Sequence, residues 1–167
     1  MLSHADCWHA LLVNPGMERS ACVGLKLRRV EPYWPRYQVT LRRRRRTQVH
    51  WRSVMPGYLF VRPPLNYQEI QDAPAVRNFL RTGDGDVAGI RTDDVEKIRS
   101  IEMALNDDQV AAASAVPYKK GQEVLVRSLH IRGKVTKILK GRKVAVAVYM
   151  FGTVVPMTLS VDQIDSV

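Results

Sequence analysis

"TLRRRRRTQVHWRSVMPGYLFVRPP", Thr40–Pro64, places five consecutive arginines a few residues ahead of a Met-Pro-Gly-Tyr turn and an apolar strand. Alternate residues of a strand face opposite ways. At most about three of Arg42, Arg43, Arg44, Arg45 and Arg46 can therefore line one surface of a sheet. This predicts a protruding hairpin tip rather than a flat sheet. Such a tip suits contact with a phosphate backbone without reading of bases, and the nearby Gln48, His50 and Trp51 can stack on an unpaired base. The alternative is a solvated loop, basic but unspecific.

Upstream, "WHALLV" (Trp8–Val13) is short, apolar and followed by Asn-Pro-Gly, which fits a buried strand ending in a turn. Asn14 can cap a helix with Pro15 at its first position. Met17, Ala21 and Leu25 then recur at helical spacing, with Glu18 near the positive helix end and Arg28 and Arg29 near the negative one. Pro32 and Pro35 end this helix. "RYQVTL" reads as a strand before the arginines, "YLFVR" as one after the turn, and "VRNFLR" as a further one. "NYQEIQ" predicts a helical turn. Asp93–Leu105 predicts a helix with Val95, Ile98, Ile101 and Leu105 on one face and Asp93 and Glu96 at capping-box spacing.

Composition then shifts. "NDDQVAAASAVP", 106–117, is acidic and small, and reads as a linker, although its alanines can also extend the preceding helix. Beyond it, "EVLVRS", "GKVTKILK", "KVAVAVYM" and "TVVPMTLS" are four strand-like runs punctuated by Gly133, Gly141 and Gly152, the pattern of a small barrel. The expected organisation is an α+β domain over 1–105, an antiparallel sheet with flanking helices, then the linker, then a small all-β barrel over 118–167.

The chain has 167 residues, 26 Lys and Arg against 16 Asp and Glu, and a net charge of +10. That excess suits a polyanionic partner. It is uneven: 1–116 carries 17 basic and 13 acidic residues (+4), and 117–167 carries 9 and 3 (+6). No run approaches the roughly 20 apolar residues of a membrane span. The N-terminal stretch, with Asp6 and His9, does not read as a signal peptide. Cys7 and Cys22 form no CxxC pair and read as small core residues. A reducing, cytoplasmic setting is expected, with no membrane partner.

The four histidines stand apart without ligand spacing, so no metal site is expected. "TGDGDVAG" matches neither GxGxxG nor a P-loop nor a calcium loop and reads as a turn. No nucleophile–base arrangement appears. The expectation is a protein that is not an enzyme and uses no cofactor.

The order of these features resembles the NusG family of transcription elongation factors. "WHALLV", "NPGMERSACVGLKL", the basic hairpin, "SVMPGYLFVRP", "APAVRNFLRTGDG" and the following helix resemble its N-terminal domain. "KKGQEVLVRS", "RGKVTKI" and "VAVAVYMFGTVVPMTLSVDQIDSV" resemble its KOW barrel, so the likeness covers nearly the whole chain. It implies a factor that docks an apolar depression on the clamp helices of the largest RNA polymerase subunit, close to DNA at the upstream fork. Trp8, Met55, Pro56, Gly57 and Tyr58 would form or border that depression, with Phe79 a further candidate; ordinary core packing is the alternative for each. Pausing, termination or antitermination would be modulated without catalysis.

Two departures stand out. Met55 replaces the family's usual Phe, and "RSLHIRGKV" lacks the usual Gly-Pro-Phe. Leu129, Ile131, Phe151 and Gly152 remain as the implied KOW partner surface, for Rho or a small-subunit ribosomal protein. The altered loop also makes a specialised RfaH-like paralogue plausible. The rival reading is a KOW-containing RNA-binding or ribosome-associated protein, which leaves "MPGYLFV" unexplained.

Overall fold

A computed structural model describes residues 7–44, 46–107 and 116–167. In chain order the elements are β1 (Cys7–Val13), α1 (Glu18–Leu27), β2 (Arg36–Arg43), β3 (Arg46–Ser53), β4 (Tyr58–Val61), α2 (Tyr67–Gln71), β5 (Val76–Phe79), β6 (Ile90–Arg91) and α3 (Thr92–Asp107). Then follow β7 (Glu123–Val126), β8 (Ile131–Leu139), β9 (Lys143–Met150), β10 (Thr153–Ser160), a 3-10 turn (Val161–Gln163) and β11 (Ile164–Ser166). The fold is mixed α/β, and its strand pairs are antiparallel. The chain divides into two compact units, one drawn from Met1–Pro35 and Pro56–Glu96, the other from Arg36–Met55 and Lys97–Val167. Of the stretch read as a linker, 108–115 lie outside the described residues, whereas Asn106 and Asp107 belong to α3.

In the first unit β1 lies between β4 and β5, and β6 pairs with its start. Leu11, Val13, Ala21, Leu25, Leu59, Val61, Ile70, Ala73 and Phe79 form the core. Each large side chain fully buried there contributes about 1.5–3 kcal/mol. Helix α1 begins at Glu18, later than the Asn14 cap predicts. Gly16 has φ +88°, which no helix accepts, and the Met17 N–H donates to the Asn14 carbonyl at 2.9 Å, closing a turn instead. Asp93 likewise sits inside the first turn of α3, where it pairs with Arg91 at 3.1 Å. The "TGDGDVAG" stretch is a turn, with Thr82 N–H donating to Asp86 O at 2.8 Å and an Arg81–Val87 bridge. Cys7 is buried and Cys22 half-buried. Buried His9 is a core histidine, its Nδ1 3.0 Å from the Ala88 carbonyl.

The second unit contains the two-stranded β2–β3 sheet and a five-stranded sheet in the order β10-β9-β8-β7-β11. A lone two-stranded ribbon is marginal in water, and here its base is tied down by side chains. The N–H groups of Arg36 and Gln38 donate to Glu102 Oε1 at 3.1 Å and Asn106 Oδ1 at 3.0 Å. Asn106 Nδ2 donates back to Arg36 O at 3.1 Å, and Thr158 N–H donates to Val54 O at 2.8 Å. Val124, Val126, Val135, Val144, Val146, Val148, Val155 and Met157 fill the buried side of the five-stranded sheet.

Gly133 does not punctuate a turn, as expected from composition, but lies inside β8 opposite Val148. A Cβ there would meet Val146 Cγ1 at 2.5 Å and Val148 Cγ1 at 2.8 Å, so the packing itself requires glycine. Pro156, which cannot donate to a ladder, sits on the outermost strand β10. The C-terminal β11 is pinned to β7 by Arg127 Nε, 2.8 Å from Asp165 Oδ2, and the guanidinium holds the Asp165 carboxyl below the usual carboxylate range.

Candidate functional site

The Met-Pro-Gly-Tyr turn is built from below. Gly57 takes φ +86°, a conformation open to glycine, with Val13 O only 3.3 Å from where a Cβ would stand. Its N–H donates to Glu18 Oε1 at 2.9 Å, and its carbonyl accepts from the Val13 N–H at 2.9 Å. Glu18 is itself buried. The sequence marked Glu18 only as a favourable charge at a helix start; its partner lies 39 residues away, which no local spacing signals. Replacing Glu18 by alanine should leave a buried N–H unsatisfied and cost about 1–3 kcal/mol. Glu18→Gln, which keeps an acceptor, should recover most of the loss in a thermal melt; melts equal to wild type for both variants would refute the tie.

The residues expected at a docking depression are well packed. Trp8 is 6% exposed, edge-on to Tyr33 at 6.1 Å between centroids, with the Arg62 guanidinium 5.4 Å from its ring. Phe79 is core, 5.0 Å from the Tyr67 ring. Met55, Gly57 and Tyr58 are buried, and burial pushes the Tyr58 phenol pKa up; Pro56 is half-exposed. Within the first unit, Pro56 is thus the part of this turn that faces solvent most.

The arginine run stands at the tip of the β2–β3 hairpin, as the sequence predicts. Arg42 and Arg43 end β2, Arg46 starts β3, and Arg44 turns with φ +40°; Arg45 lies outside the described residues. Arg43 stands directly opposite Arg46, and Arg42 opposite Thr47. Like charges directly opposite destabilise a sheet. Alternation along the paired strands puts Arg43, Arg46, Gln48, His50 and Arg52 on one face, and Arg36, Arg42, Thr47, Val49 and Trp51 on the other. Arg42, Arg44, Arg46 and Thr47 line an open concavity of about 360 Å³. Trp51 is 43% exposed, and the Arg36 guanidinium lies over one face of its ring, 4.5 Å from the centroid. Glu102 and Asn106, which hold the hairpin base, were not singled out from sequence.

At the far end of the five-stranded sheet, Phe151 and Gly152 make the tight β9–β10 turn with φ +56° and +78°. Left-handed geometry is uncommon for a bulky residue. The β8–β9 register, carried two residues beyond Gly133–Val148, sets Ile131 across from Met150, next to Phe151. Leu129 is buried at the β7–β8 connection. Three of these four residues thus meet solvent at one end of the sheet. Among the described residues, no group of three or more His, Cys, Asp or Glu is placed to hold a metal, and no helix is long and apolar enough to cross a membrane.

A hairpin loaded with like charge and a turn fixed by a buried carboxylate are the two features on which the site is built. The family model described as "Transcription termination factor nusG" matches residues 6–99, more than half of the chain. The chain belongs to the NusG family, noncatalytic factors of transcription elongation and termination. Among solved structures it is similar to that titled "Domain interaction in Thermotoga maritima NusG", at 19% identity and TM-score 0.56, over 96% of this chain and 97% of that one. The MjSpt4:Spt5 complex in conformation A matches at 18% identity over 96% and 97% of the two chains, but its TM-score of 0.28 is too low to bear on the fold. No curated protein sequence matches.

Proposed function

We propose that this protein is a noncatalytic elongation factor that binds RNA polymerase and modulates pausing, termination or antitermination while its hairpin contacts DNA. The observation that carries the reading is the exposed Arg43–Arg46 pair. Facing cations have no use in an isolated hairpin and find their compensation on a polyanion. Polymerase docking is assigned to the turn containing Pro56 and Gly57 and to the sheet face that Tyr58 shares with Trp8; Phe79, paired with Leu11, packs into the core on the opposite face and supports the sheet only. The chain from 118 onward is read as a KOW barrel, whose end near Ile131, Phe151 and Gly152 takes a protein partner such as Rho or a small-subunit ribosomal protein. The setting is the cytoplasm.

The test is retention of the full chain on immobilised bacterial core RNA polymerase at moderate salt, where purely phosphate-driven binding has weakened. The wild-type chain should be retained, and Pro56→Glu, which places a carboxylate on the solvent side of the turn, should be released. A folded wild-type chain that washes through would end the polymerase reading; equal retention of Pro56→Glu would move the docking site elsewhere.

A further inference from the structure

We infer that the tip of the β2–β3 hairpin is a binding site for a compact oligophosphate, the class that includes the triphosphate of a nucleotide, in the hollow lined by Arg42, Arg44, Arg46 and Thr47. Arg42 stands opposite Thr47 on one face of the ribbon, and Arg46 starts β3 on the other. Between them Arg44 takes φ +40°, a left-handed conformation uncommon for a residue with a long side chain. The chain reverses there, so residues of both strands border one space. Its volume of about 360 Å³ falls within the roughly 300–1,000 Å³ of small-molecule sites. A flat basic surface meets a polyanion only along its length, whereas a hollow takes a short one into itself.

Charge and geometry select the ligand. Residues 36–53 contain seven arginines, no lysine, and no Asp or Glu. Arg42, Arg44 and Arg46 are exposed, and among the described residues no ion pair or side-chain hydrogen bond engages them. Three guanidiniums around one space repel one another until an anion of several charges enters. The all-arginine composition matters, because a planar guanidinium meets two phosphate oxygens at once, where an ammonium acts as a point charge. The Thr47 hydroxyl adds a neutral donor. Duplex DNA separates successive phosphates by a sugar and strings them along a stiff rod, so few of them can enter a hollow. An oligophosphate joins its phosphate groups through single bridging oxygens and engages all three guanidiniums together. The bound ligand occupies arginines assigned to DNA contact, so a rising oligophosphate level releases the hairpin from the duplex. This rests on the reading of the hairpin as a phosphate-binding element, and not on the polymerase-docking turn.

The experiment titrates the full chain by calorimetry at about 0.1 M salt without divalent cations. The probes are inorganic tripolyphosphate, a nucleoside triphosphate, and citrate as a multivalent anion without phosphate. Tripolyphosphate should bind one to one and at least about tenfold more tightly than citrate. The combined Arg42→Lys, Arg44→Lys and Arg46→Lys variant keeps every charge and should bind tripolyphosphate about tenfold more weakly. Arg42→Ser, Arg44→Ser and Arg46→Ser together should abolish binding. Citrate binding as tight as tripolyphosphate, an unchanged affinity in the lysine variant, or several anions per chain would overturn the site, because an undirected cloud of cations then suffices. A nucleoside triphosphate that binds more tightly than tripolyphosphate identifies a nucleotide as the ligand, and one that binds more weakly identifies the inorganic chain. Tripolyphosphate should also displace a labelled duplex from the wild-type chain; a duplex that stays in place at saturation would overturn the competition. A chain that takes tripolyphosphate but never the duplex refutes the DNA contact alone, so the two readings fail separately.

Discussion

Gly133→Ala is expected to destabilise the five-stranded sheet by about 1–3 kcal/mol, the cost of forcing extra volume into a packed site. The new methyl would lie 2.5 Å from Val146 Cγ1, 2.8 Å from Val148 Cγ1 and 3.0 Å from the Ala147 carbonyl oxygen. The valine side chains are β-branched and stiff, and the carbonyl belongs to the neighbouring strand, so relief requires β8 and β9 to part. Amide hydrogen exchange reports this directly, because protection of Val135, Val146 and Val148 follows the local opening free energy. Protection in those strands should fall by about fivefold to a hundredfold, since about 1.4 kcal/mol is a factor of ten, while β1 and β4 should be unaffected. Exchange equal to wild type across β8 and β9 would show that the sheet tolerates the methyl and that the packing account is wrong.

The second large effect is on salt dependence. Each phosphate neutralised by a cation contributes about −0.9 to the slope of log affinity against log salt on duplex DNA. If Arg42, Arg43, Arg44 and Arg46 each neutralise one phosphate, replacing them with serine lowers the magnitude of the slope by about 3.6. All four are exposed, and surface changes of this kind usually alter stability by no more than about 0.5 kcal/mol, so the fold should survive. Titration of a labelled duplex at several salt concentrations reads the slope. A slope identical to wild type would restore the solvated-loop reading of the arginine run.

Much of the fold was legible because apolar periodicity is local. Trp8–Val13, Tyr58–Val61, the α3 stripe and the four C-terminal strands announce themselves through neighbouring residues. What escaped depends on distant partners or on conflicting local rules. Gly133 looked like punctuation because glycine weakens strands in general; Ile131 and Val135 on either side were the available hint of strand continuity. The arginine run lacks a periodic signal, so a hairpin tip could be argued but a solvated loop stayed open; the pairing of β2 with β3 down to Arg43 and Arg46 shows how far the strands carry the charge. The site divides the same way. Gly57 and its turn could be read from composition, whereas the buried state of Met55 and Tyr58 and the hold of Glu18 on the turn follow from packing.

The facing arginines have one more consequence. In the unbound protein, added salt screens the repulsion between Arg43 and Arg46, with a screening length of about 10 Å at 0.1 M, so the hairpin tightens as ionic strength rises. With a phosphate between them the same salt competes with the ligand and loosens it. A single pair of side chains thus reverses the sign of the hairpin's response to its ionic surroundings according to whether it is loaded, and the ion atmosphere becomes a gauge of occupancy.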